Sequence, residues 1–262
     1  MVVPQDSVLI RGTTTLSRLL TRSVRSLTRR LPDTPTSSPA RIGVVVPTSS
    51  ERQHLLNELL RNLDLTRVQV VVVATSAGVN APSQVHHVED RDGINIQRWW
   101  NKGLDQLAEL GCDIAVVIND DVRVSHEDLE KLANLLAQSR ATISSPGPSM
   151  RWFRHGLPVK WRMDGALWAI NLHHGLRPDE RYHWWMGDRD LEVRARTEFG
   201  GLLTVPVGYQ HVPGSQTALR PDLQLLASRD MSAFGLQHAA VTRAMKYISN
   251  EARGRSAQKS MP

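Results

Sequence analysis

Three short stretches carry the side chains best suited to chemistry: Asn119-Asp120-Asp121, Gly187-Asp188-Arg189-Asp190, and His211 just ahead of Pro213-Gly214-Ser215. Each stands where an apolar run stops, so a buried strand would deliver carboxylates or an imidazole to the edge of a sheet. Hard oxygen donors at Asp120 and Asp121 suit Mg2+ or Mn2+, and those ions suit a diphosphate. Such a pair also caps following helices, and it is the company it keeps that favours a metal. Asp188 is preceded by Trp184 and Trp185. A carboxylate backed by indole rings is partly desolvated, titrates high and makes a better general base. The alternative is a helix N-terminus whose acids meet the dipole, with Asp190 pairing Arg194 one turn on. That alternative suits Asp190 and leaves Asp188 incompletely explained. Paired tryptophans stack on sugar rings or fill a core, and a histidine at a strand exit is a metal ligand or a structural residue. A metal, a base and a phosphate-bearing substrate together point to an enzyme.

The elements that must position these groups alternate between strand and helix. Residues 42–46 are a continuous apolar run that meets Pro47, as in a buried parallel strand entering a loop. Ser50-Glu51-Arg52-Gln53 has the spacing of a capping box, and Leu55, Leu56, Leu59, Leu60 and Leu63 follow as a helix face. A second strand is expected at 68–74, a weaker one at 84–88, a helix at 95–110 and a third buried strand at 113–118. Ser125 to Asp128 caps another helix with Leu129, Leu132, Leu135 and Leu136 inward. This order predicts a Rossmann-like, mostly parallel α/β sheet flanked by helices. A smaller antiparallel element is expected in the second half, at 165–172. The absence of G-x-G-x-x-G after the first strand argues against a dinucleotide.

Composition agrees with one sizeable domain plus decorations. The chain has 262 residues, 40% hydrophobic and 22% charged, with a formal net charge of +6. No apolar run approaches the length of a membrane span. Cys112 is the single cysteine, which rules out an internal disulfide, fits a reducing, cytoplasmic setting and reads as a core residue. Residues 11–31 hold six arginines and no acid, with leucines and Val24 on the opposite helical face. A basic amphipathic helix of this kind lies on an anionic membrane, covers an acidic partner, serves as a transit segment or packs on its own protein. The expected organisation is therefore an extension and linker at 1–40, a catalytic domain at 41–217, a helical segment at 218–250 and a basic tail at 251–262.

Taken in order, these segments resemble the family-2-type GT-A glycosyltransferases, in particular their rhamnosyltransferase-like branch. Ile42-Gly43-Val44-Val45-Val46-Pro47-Thr48 is similar to that family's opening strand and nucleotide-contacting Pro-Thr. Asn101-Lys102-Gly103 resembles its Asn-x-Gly segment, and Ile118-Asn119-Asp120-Asp121 its D-x-D variant. Leu176 to Arg181 followed by Gly187 to Arg194 is similar to its late acidic block, and His211-Val212-Pro213-Gly214-Ser215 to its metal-ligand histidine segment. The resemblance implies a metal-dependent, inverting transfer from a UDP-, GDP- or dTDP-sugar. Asp188 would be the catalytic base, and Asp121 and His211 would hold Mn2+ or Mg2+. Pro47, Thr48, Thr75, Asn101, Asn119 and Asp120 would contact the sugar nucleotide. Trp184, Trp185, Asp190 and Arg194 would meet the acceptor or sugar, with Trp168 a further candidate. The acceptor is left open between a glycan, a lipid-linked intermediate, a protein and a modified nucleic acid, with peripheral membrane contact through 11–31.

The sequence departs from the family pattern in three places. Val73-Ala74-Thr75 stands where an acid usually reads the base, Gly187 stands where a glutamate usually precedes the catalytic base, and the arginine after Pro-Thr is displaced to Arg52. These departures leave a second reading, a degenerate glycosyltransferase fold that binds a nucleotide, glycan or protein. A nucleotidyltransferase would need a Gly-rich basic loop after the first strand, and Pro47-Thr48-Ser49-Ser50-Glu51 is not one.

Overall fold

The computed structural model describes residues 39–156, 158, 160–212 and 220–243. The stretch 11–31, the linker before Pro39, Pro213 to Ser215 and the tail 251–262 lie outside them. Ten strands are described: β1 (Ile42–Thr48), β2 (Gln69–Ala74), β3 (His86–Glu89), β4 (Ile114–Ile118), β5 (Val122–Val124), β6 (Ile143–Pro146), β7 (Arg151–Phe153), β8 (Leu167–Asn171), β9 (Leu202–Val205) and β10 (Tyr209–His211). The α-helices are α1 (Gln53–Arg61), α2 (Ile96–Glu109), α3 (His126–Ala137), α4 (Gly187–Glu198) and α5 (Pro221–Gln237).

Eight strands form one sheet in the order β3-β2-β1-β4-β8-β6-β9-β7, and β10 pairs with β5 in a small second sheet. Strands β1 to β4 run parallel, while β8 is antiparallel to both β4 and β6. The period-2 alternation of valines sorts the core into two layers. Val44, Val46, Val70, Val72, Val116 and Ile118 face α1 and α3, where Leu56, Leu59, Leu129, Leu132 and Leu136 close the layer. Val45, Val71, Val73 and Val117 face α2 and α4, meeting Trp100, Leu104, Leu107 and Leu191. Each fully buried Val or Leu contributes about 1.5–3 kcal/mol relative to exposure, so the sheet between two helical layers is a rigid platform for its C-terminal edge.

Helix α2 lies unusually close to β1. A Cβ on Gly103 would come within 2.2 Å of the Val45 side chain, and one on Gly43 within 2.4 Å of Leu107. The two glycines let helix and strand approach, which brings the N-terminal turn of α2 over the strand ends. Asn95 caps that turn by accepting from the Arg98 amide at 3.0 Å.

The capping expectations divide. Ser125 caps α3, its hydroxyl accepting from the Asp128 amide at 3.1 Å. The capping box at Ser50 to Gln53 does not form. Ser50–Arg52 is a 3-10 turn ahead of α1. The Ser50 amide and hydroxyl both meet the Ser76 hydroxyl, and the Gln53 side chain donates to Asn57 and to the Asn80 carbonyl. Polar partners across the sheet edge outcompete the local cap. Among the described residues, no helix is long and apolar enough to cross a membrane.

Candidate active site

The C-terminal ends of β1, β2 and β4 open into one cavity of about 460 Å³. Pro47, Thr48 and Thr75 line it from the first two strands, Asn119, Asp120 and Asp121 from the turn after β4, and Asp188 from α4. Trp184, Trp185 and His211 line it as well. Residues up to 164 positions apart are thus gathered by the ordinary rule that parallel sheets present ligands at their carboxyl edge.

The two aspartates after β4 do different work. Asp120 is buried under Arg52, whose Nη2 and Nε donate to Asp120 Oδ1 at 2.5 and 2.8 Å, while the Thr48 hydroxyl donates to Oδ2 at 2.6 Å. Burial pushes the Asp120 carboxyl above its ordinary range, against the pull of Arg52 and Thr48. Burial also works against the Arg52 charge, but Asp120 and Asp121 outweigh it and the guanidinium is held more firmly protonated than usual. A guanidinium fork on a carboxylate is a charge-assisted pair, ionised at neutral pH. Asp120 is therefore a structural brace for β1 and the 3-10 turn.

Asp121 divides its carboxylate between Arg52 Nη2, 2.8 Å from Oδ2, and His211 Nε2, 3.1 Å from Oδ1. The pairing of β10 with β5 creates this contact: His211 sits opposite Val122, and the Val212 amide donates to the Asp121 carbonyl at 2.7 Å. Neighbouring ligands of an octahedral divalent ion at ~2.1 Å stand about 3.0 Å apart. The Asp121–His211 spacing and its mixed oxygen and nitrogen donors fit such an ion. Among the described residues no cluster of three or more His, Cys, Asp or Glu gathers.

Asp188 is the second residue of α4, in the first turn. Its side chain keeps 20% exposure, and Oδ1 accepts from the Arg189 amide at 2.8 Å. Burial first, then the neighbouring Asp164 and Glu192 charges, lifts its pKa above the ordinary carboxylate value, although Arg189 pulls the other way. Met186, immediately before α4, holds a left-handed φ of 64°. A non-glycine residue in that region is uncommon and is stabilised by its surroundings, often beside a site.

Several sequence candidates fall elsewhere. Asn101 does not line the cavity; its amide donates to the Pro178 carbonyl and to Glu180 Oε1, tying α2 to the loop before α4. Asp190 is fully buried and accepts from Arg194 at 2.6 Å and from Gln237 at 3.1 Å, with His238 2.8 Å away. The i,i+4 pair foreseen in the sequence is thus present; Asp190 braces α5, Arg194 ties α4 to the Arg177 carbonyl at 2.8 Å, and neither lines the cavity. Trp168 lies on β8 facing the core, edge-on to Trp100 with ring centroids 5.3 Å apart. The alternation of the strand turns it away from the cavity.

Three residues at or behind the cavity wall are not marked for the site by the motifs. Arg52 reads in the sequence only as part of the capping box and as a displaced arginine, with no sign of its grip on Asp120 and Asp121. Gln97 lines the cavity from α2. Asp230, at 0% exposure on α5, accepts through Oδ2 from the amides of His183, Trp184 and Trp185 at 2.9, 2.7 and 2.8 Å. A signal existed for the last two. Gln97 shares the buried face of α2 with Trp100, Leu104 and Leu107, and Asp230 shares that of α5 with Leu223, Ala227 and Phe234. A polar residue at the apolar positions of an amphipathic helix is a specific anomaly.

No family model and no curated protein matches the sequence. Solved structures do match the fold. A mannosyltransferase from Pyrobaculum calidifontis, solved in complex with GDP-Man and Mn2+, superposes with a TM-score of 0.51 at 17% identity, covering 96% of this chain and 85% of its own. GalNAc-T7, solved with UDP, GalNAc and Mn2+, superposes at 0.50 and 11% identity, covering 82% of this chain and 54% of its own. The chain has the GT-A glycosyltransferase fold.

Proposed function

We propose that the protein transfers a sugar from a nucleotide-diphosphate sugar to an acceptor hydroxyl, with inversion at the anomeric carbon. The supporting observation is the convergence of the Asp121–His211 pair, Asp188, and the strand-end residues Pro47, Thr48 and Thr75 on one cavity. The solved neighbours with Mn2+ and a nucleotide or sugar nucleotide support the same reading. So does the resemblance to the rhamnosyltransferase-like branch.

Asp121 and His211 are the residues that would hold a divalent cation, Mn2+ or Mg2+. Bound there, such an ion neutralises charge developing on a diphosphate leaving group. Asp188, raised in pKa yet partly open to the cavity, accepts the proton of the acceptor hydroxyl as that oxygen attacks. Trp184 and Trp185, both on the cavity wall, offer ring faces to the acceptor or sugar. The acceptor is a glycan, a lipid-linked saccharide, a protein or a modified nucleic acid.

The second reading is a binding protein on the same fold. It is favoured by Arg52, which already occupies both aspartates after β4, and by Thr75 in place of a base-reading acid. Calorimetric titration with UDP, GDP and dTDP sugars, with Mn2+ and with EDTA, separates the two when paired with turnover. The enzyme reading expects Mn2+-dependent binding of one nucleotide class, lost in Asp121→Ala. It also expects Asp188→Asn to keep binding but lose about 10²–10⁴-fold in rate. Binding without turnover selects the second reading, and unchanged turnover in Asp188→Asn removes the base assignment.

A further inference from the structure

The N-terminal turn of α2 carries polar atoms with nothing to bond. Gln97 is 1% exposed and lines the cavity, and its Oε1 is buried without a hydrogen-bond partner. Trp99 and Trp100 line the same cavity, and both indole Nε1 atoms are likewise buried and unpartnered. Buried polar groups in folded proteins are nearly always satisfied, and each exception calls for a reason. Seven other described side-chain atoms are buried without a partner as well, among them Trp168 Nε1 and Asp230 Oδ1 away from the cavity; what sets these three apart is that their residues stand within four positions on one cavity wall, where a ligand supplies the partner.

Gln97 is also fitted against the segment that carries Asp188. A Cβ on Gly187 would lie 2.1 Å from Gln97 Cδ and Nε2 and 2.3 Å from Oε1. The amide therefore occupies the space that any side chain at 187 would need, one residue from the general-base candidate. Glycine at the first position of α4 is what admits it.

The chemistry of this wall selects the ligand class. An amide offers one acceptor and two donors, and an indole N–H one donor, none of them charged. The cations on the cavity wall are engaged by acids: Arg52 with Asp120 and Asp121, Arg189 with Asp188 at 3.6 Å, and Arg220 with Asp222. Neutral donors and acceptors beside a carboxylate suit hydroxyl groups and disfavour a second carboxylate.

We propose that Gln97, supported by Trp99 and Trp100, is the subsite that reads the hydroxyls of the transferred sugar and selects a neutral hexose or deoxyhexose. This rests on the donor-site reading above. Gln97 is a specificity residue, set beside the base by Gly187.

The test compares bare UDP, GDP and dTDP with UDP-glucose, GDP-Man and dTDP-rhamnose, and with UDP-glucuronic acid, by calorimetry in Mn2+. The proteins are the full chain and its Gln97→Met variant, which preserves volume and removes the hydrogen bonds. Gln97→Leu serves as a second apolar replacement should methionine disturb folding. The full chain is expected to bind one neutral-sugar nucleotide about tenfold tighter than the bare nucleotide, a difference of about 1.4 kcal/mol. Gln97→Met is expected to lose that increment while nucleotide affinity stays within twofold. If the increment survives, if sugar nucleotide and bare nucleotide weaken together, or if the glucuronic acid derivative binds best, the subsite is overturned and the donor site stands. If the full chain binds no nucleotide, both fall.

Discussion

Replacing Asp230 with alanine removes the one oxygen that gathers three successive backbone amides, those of His183, Trp184 and Trp185. A hydrogen bond to a charged acceptor is worth about 1.5–3 kcal/mol. Three bonds to one oxygen are not additive, and Trp185 is exposed enough for water to replace part of the loss. We therefore expect Asp230→Ala to destabilise by roughly 2–4 kcal/mol. At roughly 2–4 °C per kcal/mol for a domain of this size, the melting temperature falls by about 5–15 °C. The sharper assay is hydrogen exchange resolved to single amides. Protection at 183–185 should fall by more than about tenfold, whereas amides of the β1–β2 ladder change only as far as global stability does. Asp230→Asn, which keeps an acceptor and loses the charge, should give a smaller loss at the same three amides. Because the turn leads through Met186 into Asp188, either variant should also slow any turnover the protein has. Unchanged protection at 183–185 with a melting shift under about 1 °C would refute the assignment of Asp230 as the anchor of this turn.

Two further predictions follow from buried contacts. Gly187→Ala places a methyl against the Gln97 amide and should cost about 1–3 kcal/mol of stability by overpacking. Adding Gln97→Ala should recover part of that loss, giving a coupling above about 1 kcal/mol in a denaturation cycle; strict additivity would show that the two residues do not compete for space. Asp90 is buried between Arg98, bonded at 2.8 Å, and Lys102 at 3.2 Å. Burial alone would raise its pKa, but Arg98, the Asp92 amide and Lys102 hold it down to about 2. A depressed carboxylate contributes stability that is complete above its ordinary value near 4 and is lost as pH falls through about 2, on the order of 2 kcal/mol here. The stability gap between the native chain and Asp90→Asn should therefore narrow over that window, and a constant gap from pH 5 to 2 would contradict it.

Much of the architecture was legible because it rests on apolar patterning. The continuous apolar runs at 44–46, 70–73 and 114–118 dictate strands covered on both faces, and the leucine spacing at 56–60 and 129–136 dictates the helices that cover them. The end of β4 was equally plain, at Asn119 to Asp121, whereas Asp188 stands in the first turn of α4 and His211 within β10 rather than at the end of one of these strands. Partner choice was not legible. Asp120 and Asp121 are adjacent and chemically identical, and only the three-dimensional position of Arg52 makes one a brace and leaves the other an oxygen facing His211. Asn101 and Asp190 carry the right chemistry one helical turn from the cavity, and register alone assigns them to α2–loop and α4–α5 contacts.

The residues the motifs missed share a physical signature, a polar side chain on the apolar stripe of a helix, and the two cases separate by where that side chain stands. Asp230 has one oxygen saturated by three amides, so its burial is explained by holding the turn before Asp188. Gln97 has an oxygen spent on nothing within the protein. Asp230 Oδ1 is likewise buried without a hydrogen-bond partner, so an unspent oxygen alone does not separate the two; what assigns Gln97 to recognition is its place on the cavity wall, which Asp230 does not share. The position of Gln97 also explains why Gly187 stands where the family resemblance led one to expect a glutamate. The space that side chain would need is filled from α2, and a neutral amide there replaces a second carboxylate beside Asp188. A glutamate there would raise the pKa of Asp188 beyond what Asp164 and Glu192 already do, and a neutral amide does not.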